Sequence, residues 1–260
     1  MFRILLAFFV VTVACSEGRT QDTVNARPDT SGLARMITLS KWLIEYEETA
    51  LYLTEENEEF KKTPVVRAGQ SAFSYQDAEN NWHIVTGKMT GDNFSPSIHR
   101  ILHQHGAISE GSLLQSPDLS GYASALQNCY TSFKVVIDTI GVHFNQFVRK
   151  KADGEYEVYF LPAFQPSGQA IYGCEWKGTW DIKLKQVKDV SLYCAGVKGI
   201  WIGQPRVLWL NYRDCKAITL GGVFFLEYFQ SFFKTINLDT QHFTLSSSEG
   251  GKWNLKMKAH

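Results

Sequence analysis

The stretch "WLNYRDCKAITLGGVFFLEYF", Trp209 to Phe229, runs from an extended apolar segment through a polar corner into a very apolar helix. The spacing predicts that this helix spans about Leu220 to Ile236. Val223, Phe224, Leu226, Phe229, Phe232, Phe233 and Ile236 leave it few positions for water, and a helix apolar nearly all round is central rather than peripheral. A strand feeding a buried helix calls for a mixed architecture of strands and helices. Enzymes often place reactive groups at such a corner. This one carries no histidine, no serine and a single carboxylate, Asp214.

Working outward, apolar runs bounded by turn residues predict strands on both sides. Upstream lie "VHFNQFVRK" and "YEVYFLPAF", joined by the Asp153-Gly154 turn, a strong hairpin signal. "QAIYGCEW", "TWDIKLK", "VSLYCAG" and "RVLWLNY" follow. Downstream, "QHFTLSSS" and "KWNLKMK" flank Glu249-Gly250-Gly251. Before these strands, Ser116 caps a second helix with Pro117 in its first turn and Gly141 as its stop. Its stripe is Leu119, Tyr122, Leu126, Cys129, Phe133 and Val136.

Nearer the N-terminus, Asp29, Thr30 and Ser31 are capping residues. Met36, Leu39, Leu43, Tyr46, Ala50, Leu53 and Phe60 recur at helical spacing until Pro64. The opposite face holds Glu45, Glu48, Glu55, Glu56, Glu58 and Glu59, read as solvated. Between the two helices "SAFSYQD", "WHIVTGKM" and "IHRILHQH" read as an antiparallel meander, with turns at "AENN" and "TGDNFSPS". The expected class is α+β. Residues 30–115 form a long helix with a meander, and residues 116–260 form a helix, a mixed sheet and a buried helix.

The chain has 260 residues, 44% of them hydrophobic, and equal numbers of basic and acidic side chains, 26 each. That balance argues against nucleic acid as a partner. The leader "MFRILLAFFVVTVACSEGRT" pairs Arg3 with the uncharged apolar run Ile4 to Val13, the size of a signal-peptide core and too short to span a bilayer. Thr12-Val13-Ala14-Cys15 resembles the bacterial lipobox, which implies a signal peptide over residues 1–15 and acylation at Cys15. Thr12 departs from that pattern, and the alternative is an ordinary secretory leader cut near Ala14. Residues 16–29 are polar and read as a tether. The expectation is an exported protein, membrane-anchored through its N-terminal lipid or free in the periplasm or outside the cell. Its partner would be an envelope protein or a small ligand. In such an oxidising compartment Cys174 and Cys194, on neighbouring expected strands, are the first pair to test for a disulfide.

None of the nucleotide-binding, serine-hydrolase or zincin motifs occurs. "HRILHQH" holds His99, His103 and His105. On a strand all three would share a face, and His103 and His105, about 6.6 Å apart, could share a metal with Asp118. The order H-x-H, then an acid at a helix start, is similar to a JAB/MPN-type (JAMM) metallopeptidase site. The acid comes two residues late, and Ser116-Pro117-Asp118 is S-x-D where that site has S-x-x-D. A zinc-dependent hydrolase using His103, His105 and Asp118 is therefore the alternative to a non-catalytic protein without metal or other cofactor.

A second resemblance covers Ser116 to Met257. It is carried by "EYEVYFLPAFQPSGQAIYGCEW", an apolar strand, a loop and an "IYG" strand followed by an acid. "DCKAITLGGVFFLEYF" and the closing strand pair carry the rest. This half resembles uncharacterised secreted bacterial proteins whose last turn looks like a JAB/MPN-type metal site. The resemblance implies metal-ligand positions near Leu208, Leu210 and Gly222, none of which can coordinate a cation. It implies the frame of a metal site without its ligands.

Overall fold

A computed structural model describes residues 30–55, 70–151, 154–203, 206–248 and 252–258. The leader, Cys15, the tether, Phe60 and Pro64 lie outside the described residues. The class is α+β, as the sequence implies.

Helix α1, Thr30–Glu55, buries Leu43 and Tyr46 and leaves Glu45 and Glu48 in solvent. Strands β1 (Gln70–Gln76), β2 (Trp82–Thr90), β3 (Asn93–Leu102) and β4 (Ile108–Glu110) pair in chain order as an antiparallel meander. The β2–β3 turn is only Gly91-Asp92, with Gly91 at φ 59°. Most of "TGDNFSPS", expected as turn, is therefore strand. Pro96 is tolerated inside β3 because the register shifts opposite it, between Thr86 and Gly87. At its other end β3 stops at Leu102 and His103 to Gly106 forms a turn, so His103 and His105 are not strand residues as expected.

Helix α2 spans Pro117–Ile140. The Ser116 side chain accepts from the Leu119 N–H, and Gly141 adopts φ 67° at the other end. Its predicted stripe from Leu119 to Phe133 is buried. The second sheet has the order β5 (Phe144–Lys150), β6 (Glu155–Pro162), β7 (Gln169–Asp181) and β8 (Gln186–Trp201), all antiparallel. "QAIYGCEW" and the start of "TWDIKLK", expected as two strands, are one, and Ile182 to Lys185 of the second form the turn into β8. β7 runs through Lys177-Gly178 because the ladder there absorbs a bulge and the Trp176 ring occupies the space a Gly178 side chain would need.

The third sheet has the order β12-β11-β10-β9 and is mixed. β9 (Val207–Tyr212) runs parallel to β10 (Thr235–Thr240). β11 (Phe243–Ser248) and β12 (Lys252–Met257) add antiparallel strands. Helix α3 is the crossover, and it is shorter than expected. It spans Leu220–Tyr228 and passes through a 3-10 turn at Gln230–Phe232. Ile236, expected on the helix, lies in β10, where Ile236 and Leu238 alternate inward from the strand's backbone pairing.

Three apolar clusters unite these layers. One joins Phe73, Val85 and Phe94 of the meander to Leu126 and Phe133 of α2 and Val158 and Trp176 of the second sheet. Another packs α3 on Leu208, Leu210, Leu238 and Leu245. The third brings Leu43 and Tyr46 of α1 against Trp82, Phe147, Tyr159 and Phe224. The first and third run across the 115/116 boundary rather than stopping at it.

Candidate functional site

At the corner, β9 alternates strictly. Leu208, Leu210 and Tyr212 face the core while Val207, Trp209 and Asn211 face solvent. Thr219 then caps α3 with its hydroxyl, which accepts from the Gly222 N–H. Under this helix start lies a residue the sequence reading did not single out, Glu175 of β7. Its carboxylate accepts from Tyr212 Oη at 3.1 Å, Thr219 Oγ1 at 2.8 Å and the Gly221 N–H at 2.7 Å.

Burial raises the Glu175 pKa above the usual carboxylate range, and the bonds from Thr219, the Gly221 N–H and Tyr212 pull the other way. Burial, and then the Glu175 charge, push the Tyr212 phenol well above its ordinary value. The helix N-terminus and three donors make a fitted seat for one carboxylate. The adjoining cavity, lined by Leu161, Tyr172, Glu175, Phe225 and Phe229 among others, holds about 10 Å³. That is at the lower limit for a single water and leaves no room for a substrate.

The positions where the resemblance expects metal ligands are apolar and enclosed. Leu208 and Leu210 are buried against α3, and a side chain at Gly222 would collide with Leu238. Asp214 is exposed. Cys215 is half-buried, and burial pushes its thiol up.

The histidines separate into two groups. His103 and His105 stack, ring centroids 5.5 Å apart, and His103 Nε2 meets Ser109 Oγ at 2.8 Å. Asp118 points elsewhere, to Lys150 Nζ at 2.8 Å. The triad His103, His105 and Asp118 is not assembled, because Asp118 sits in the first turn of α2 facing β5. Among the described residues no three His, Cys, Asp or Glu side chains converge as metal ligands.

His99 is buried in a different constellation. Its Nδ1 reaches the Ser112 carbonyl at 2.8 Å, and its Nε2 meets His83 Nδ1 at 2.8 Å. His83 Nε2 meets Asp77 Oδ2 at 3.0 Å. A carbonyl only accepts, so His99 Nδ1 carries a proton. An ionised Asp77 places the second on His83 Nε2. The Tyr75 hydroxyl meets the same His83 Nδ1 at 3.1 Å, so that nitrogen has two hydrogen-bonding neighbours.

Burial lowers the His83 pKa, with the bond to Asp77 opposing. Burial would raise Asp77, but bonds from His83, Asn81 and the Glu79 N–H outweigh it and hold the carboxyl at about 2. Asp77, His83 and His99 form a hydrogen-bonded chain closed off by the Ser112 carbonyl. His83 was missed because its partners come from other strands. Its one sequence signal is a histidine inside the apolar strand "WHIVTG".

Cys174 and Cys194 are backbone register partners in the β7–β8 ladder.

Set against known proteins, the chain matches no family model, no curated protein and no solved structure.

Proposed function

We propose that the chain is an exported cell-envelope protein, lipid-anchored at Cys15, that works as a non-catalytic binding or structural module. In this reading the Leu208–Gly222 corner is a JAB/MPN-like frame that keeps the architecture of a metal site and none of its chemistry. One observation supports it above the others. The acid under the corner, Glu175, directs its carboxylate to the donors that start α3. A general base needs a free lone pair and a reachable proton. This carboxylate has three protein donors and a neighbouring space no larger than a water.

Two measurements test the reading. The Cys15→Ala chain is expected in the soluble fraction while the wild type sediments with membranes. Equal membrane fractionation of both would sink the anchor. Untagged protein is expected to carry no zinc that survives dialysis. One equivalent that resists dialysis, and whose removal by EDTA lowers the melting midpoint, would overturn the ligand-free corner.

A further inference from the structure

The third sheet buries one face against α3; on the other, Asn237 and Asp239 of the inner strand β10 are buried, and the exposed side chains lie on the edge strands β9 and β12. Strand alternation assigns the outer rows. Trp209, Asn237, Ser246 and Asn254 form the middle row. Asn211, Asp239, Thr244 and Lys256 form one flank, and Val207, Thr235 and Lys252 the other. The two central acceptors are already engaged. Asn237 Oδ1 accepts from Ser246 Oγ at 2.7 Å. Asp239 is bracketed by Arg213 Nε at 3.0 Å, Lys258 Nζ at 2.6 Å and Thr244 Oγ1 at 3.0 Å.

Arg213 and Lys258 together outweigh Asp239 by one charge, and Lys252 and Lys256 add two more. Lys252 and Lys256 are exposed on edge strand β12 and have no ion-pair partner among the described residues. This segregation stands out in a chain of zero formal charge. The opposite edge, about 14 Å away across three strand spacings, exposes Trp209 (58%) and Val207 (52%).

We propose that this outer face docks on a bilayer surface rich in anionic phospholipid headgroups. Lysine ammoniums are attracted to headgroup phosphates through the diffuse field of the bilayer. A tryptophan with a polar indole N–H and an apolar body settles at the headgroup level. Exposed side chains on both edges of one sheet face suit a plane better than a groove-bound polymer.

The approach of the chain supports the same occupant. Gly32, Leu33 and Met36, at the start of α1, line one cavity with Phe243 and Leu255 of β11 and β12. The polar stretch Ser16–Asp29 spans at most about 50 Å when fully extended. An anchor at Cys15 would therefore hold this sheet within reach of the membrane. The proposal rests on the anchored reading only for that last point, because the attraction belongs to the face itself.

The test uses the chain from Ser16 onward, which lacks both Cys15 and the apolar run Ile4 to Val13, so that neither acylation nor the leader can contribute. Its sedimentation is measured with phosphatidylcholine vesicles, and with vesicles that also contain phosphatidylglycerol, at low and high salt. Binding is expected only to the anionic vesicles and is expected to weaken with salt. Lys252→Glu with Lys256→Glu should weaken it at least about tenfold, and Trp209→Ser should weaken the part that survives salt. Lys183→Glu, a charge reversal on the β7–β8 turn, should leave it unchanged. No binding to anionic vesicles would overturn the proposal. So would equal loss with Lys183→Glu, an unchanged Trp209→Ser, or displacement of the protein from vesicles by an equal charge of single-stranded DNA. Because the anchor is absent throughout, failure here leaves the Cys15 fractionation result standing, and the reverse also holds.

Discussion

Gly221 holds the corner together. A Cβ at this position would lie 2.3 Å from Glu175 Cδ, so any side chain must displace the carboxylate from its seat. A displaced Glu175 would lose the Gly221 N–H and stay buried, and stranding a buried charged acceptor costs about 1 to 3 kcal/mol or more. Gly221→Ala should therefore lower the denaturant midpoint clearly, despite alanine's better helix propensity. Gly203→Ala, with open space around it, should not. Equal midpoints for Gly221→Ala and wild type would mean that Glu175 has another resting place. None of this was legible in the sequence. "GCEW" shows a carboxylate inside an apolar strand, but its donors come from Tyr212, Thr219 and Gly221, which only the fold brings over β7. The reading of Leu208, Leu210 and Gly222 as unable to ligate needed only their side-chain chemistry.

Helix α3 shows what periodicity can and cannot deliver. Its central position was readable because it has almost no polar face, and six of its nine residues are buried. Its end was not readable, since Phe232, Phe233 and Ile236 continue a helical spacing by chance. What stops the helix is the return of the chain to pair with β9, a partner more than twenty residues upstream. The caps of α2 were legible because Ser116, Pro117 and Gly141 act on their immediate neighbours. Phe229 closes α3, 3% exposed, with its ring 4.6 Å from Phe225 and edge-on to Tyr228. Phe229→Ala should cost about 3 to 5 kcal/mol, the usual range for a core phenylalanine. A thermal midpoint within error of the wild type would show that the cluster closes over the gap.

Across the whole molecule, the apolar clusters tie the meander to α2 and the second sheet, and α1 to both. Phe73 packs on Phe94 and Tyr122, and Tyr46 Oη accepts from the Ser74 N–H at 2.8 Å. Such packing should make residues 30–115 and 116–260 melt together. Phe73→Ala in the meander and Leu126→Ala in α2 should each lower one shared transition, seen alike by near-UV dichroism and by tryptophan fluorescence. Two separated transitions would mean that the halves are independent domains.

The seating of α1 against α3 also sets an order in time. A ribosome or a translocation channel delivers residues 30–55 well before the 220–228 helix. Until then Leu43 and Tyr46 lack part of the surface that buries them, and the nascent chain has an open flank. Closure has to wait for the C-terminal third, which makes folding slow and late. A chain that must pass through a membrane unfolded gains from that delay, whereas one retained in a crowded cytosol would need a chaperone for the same interval.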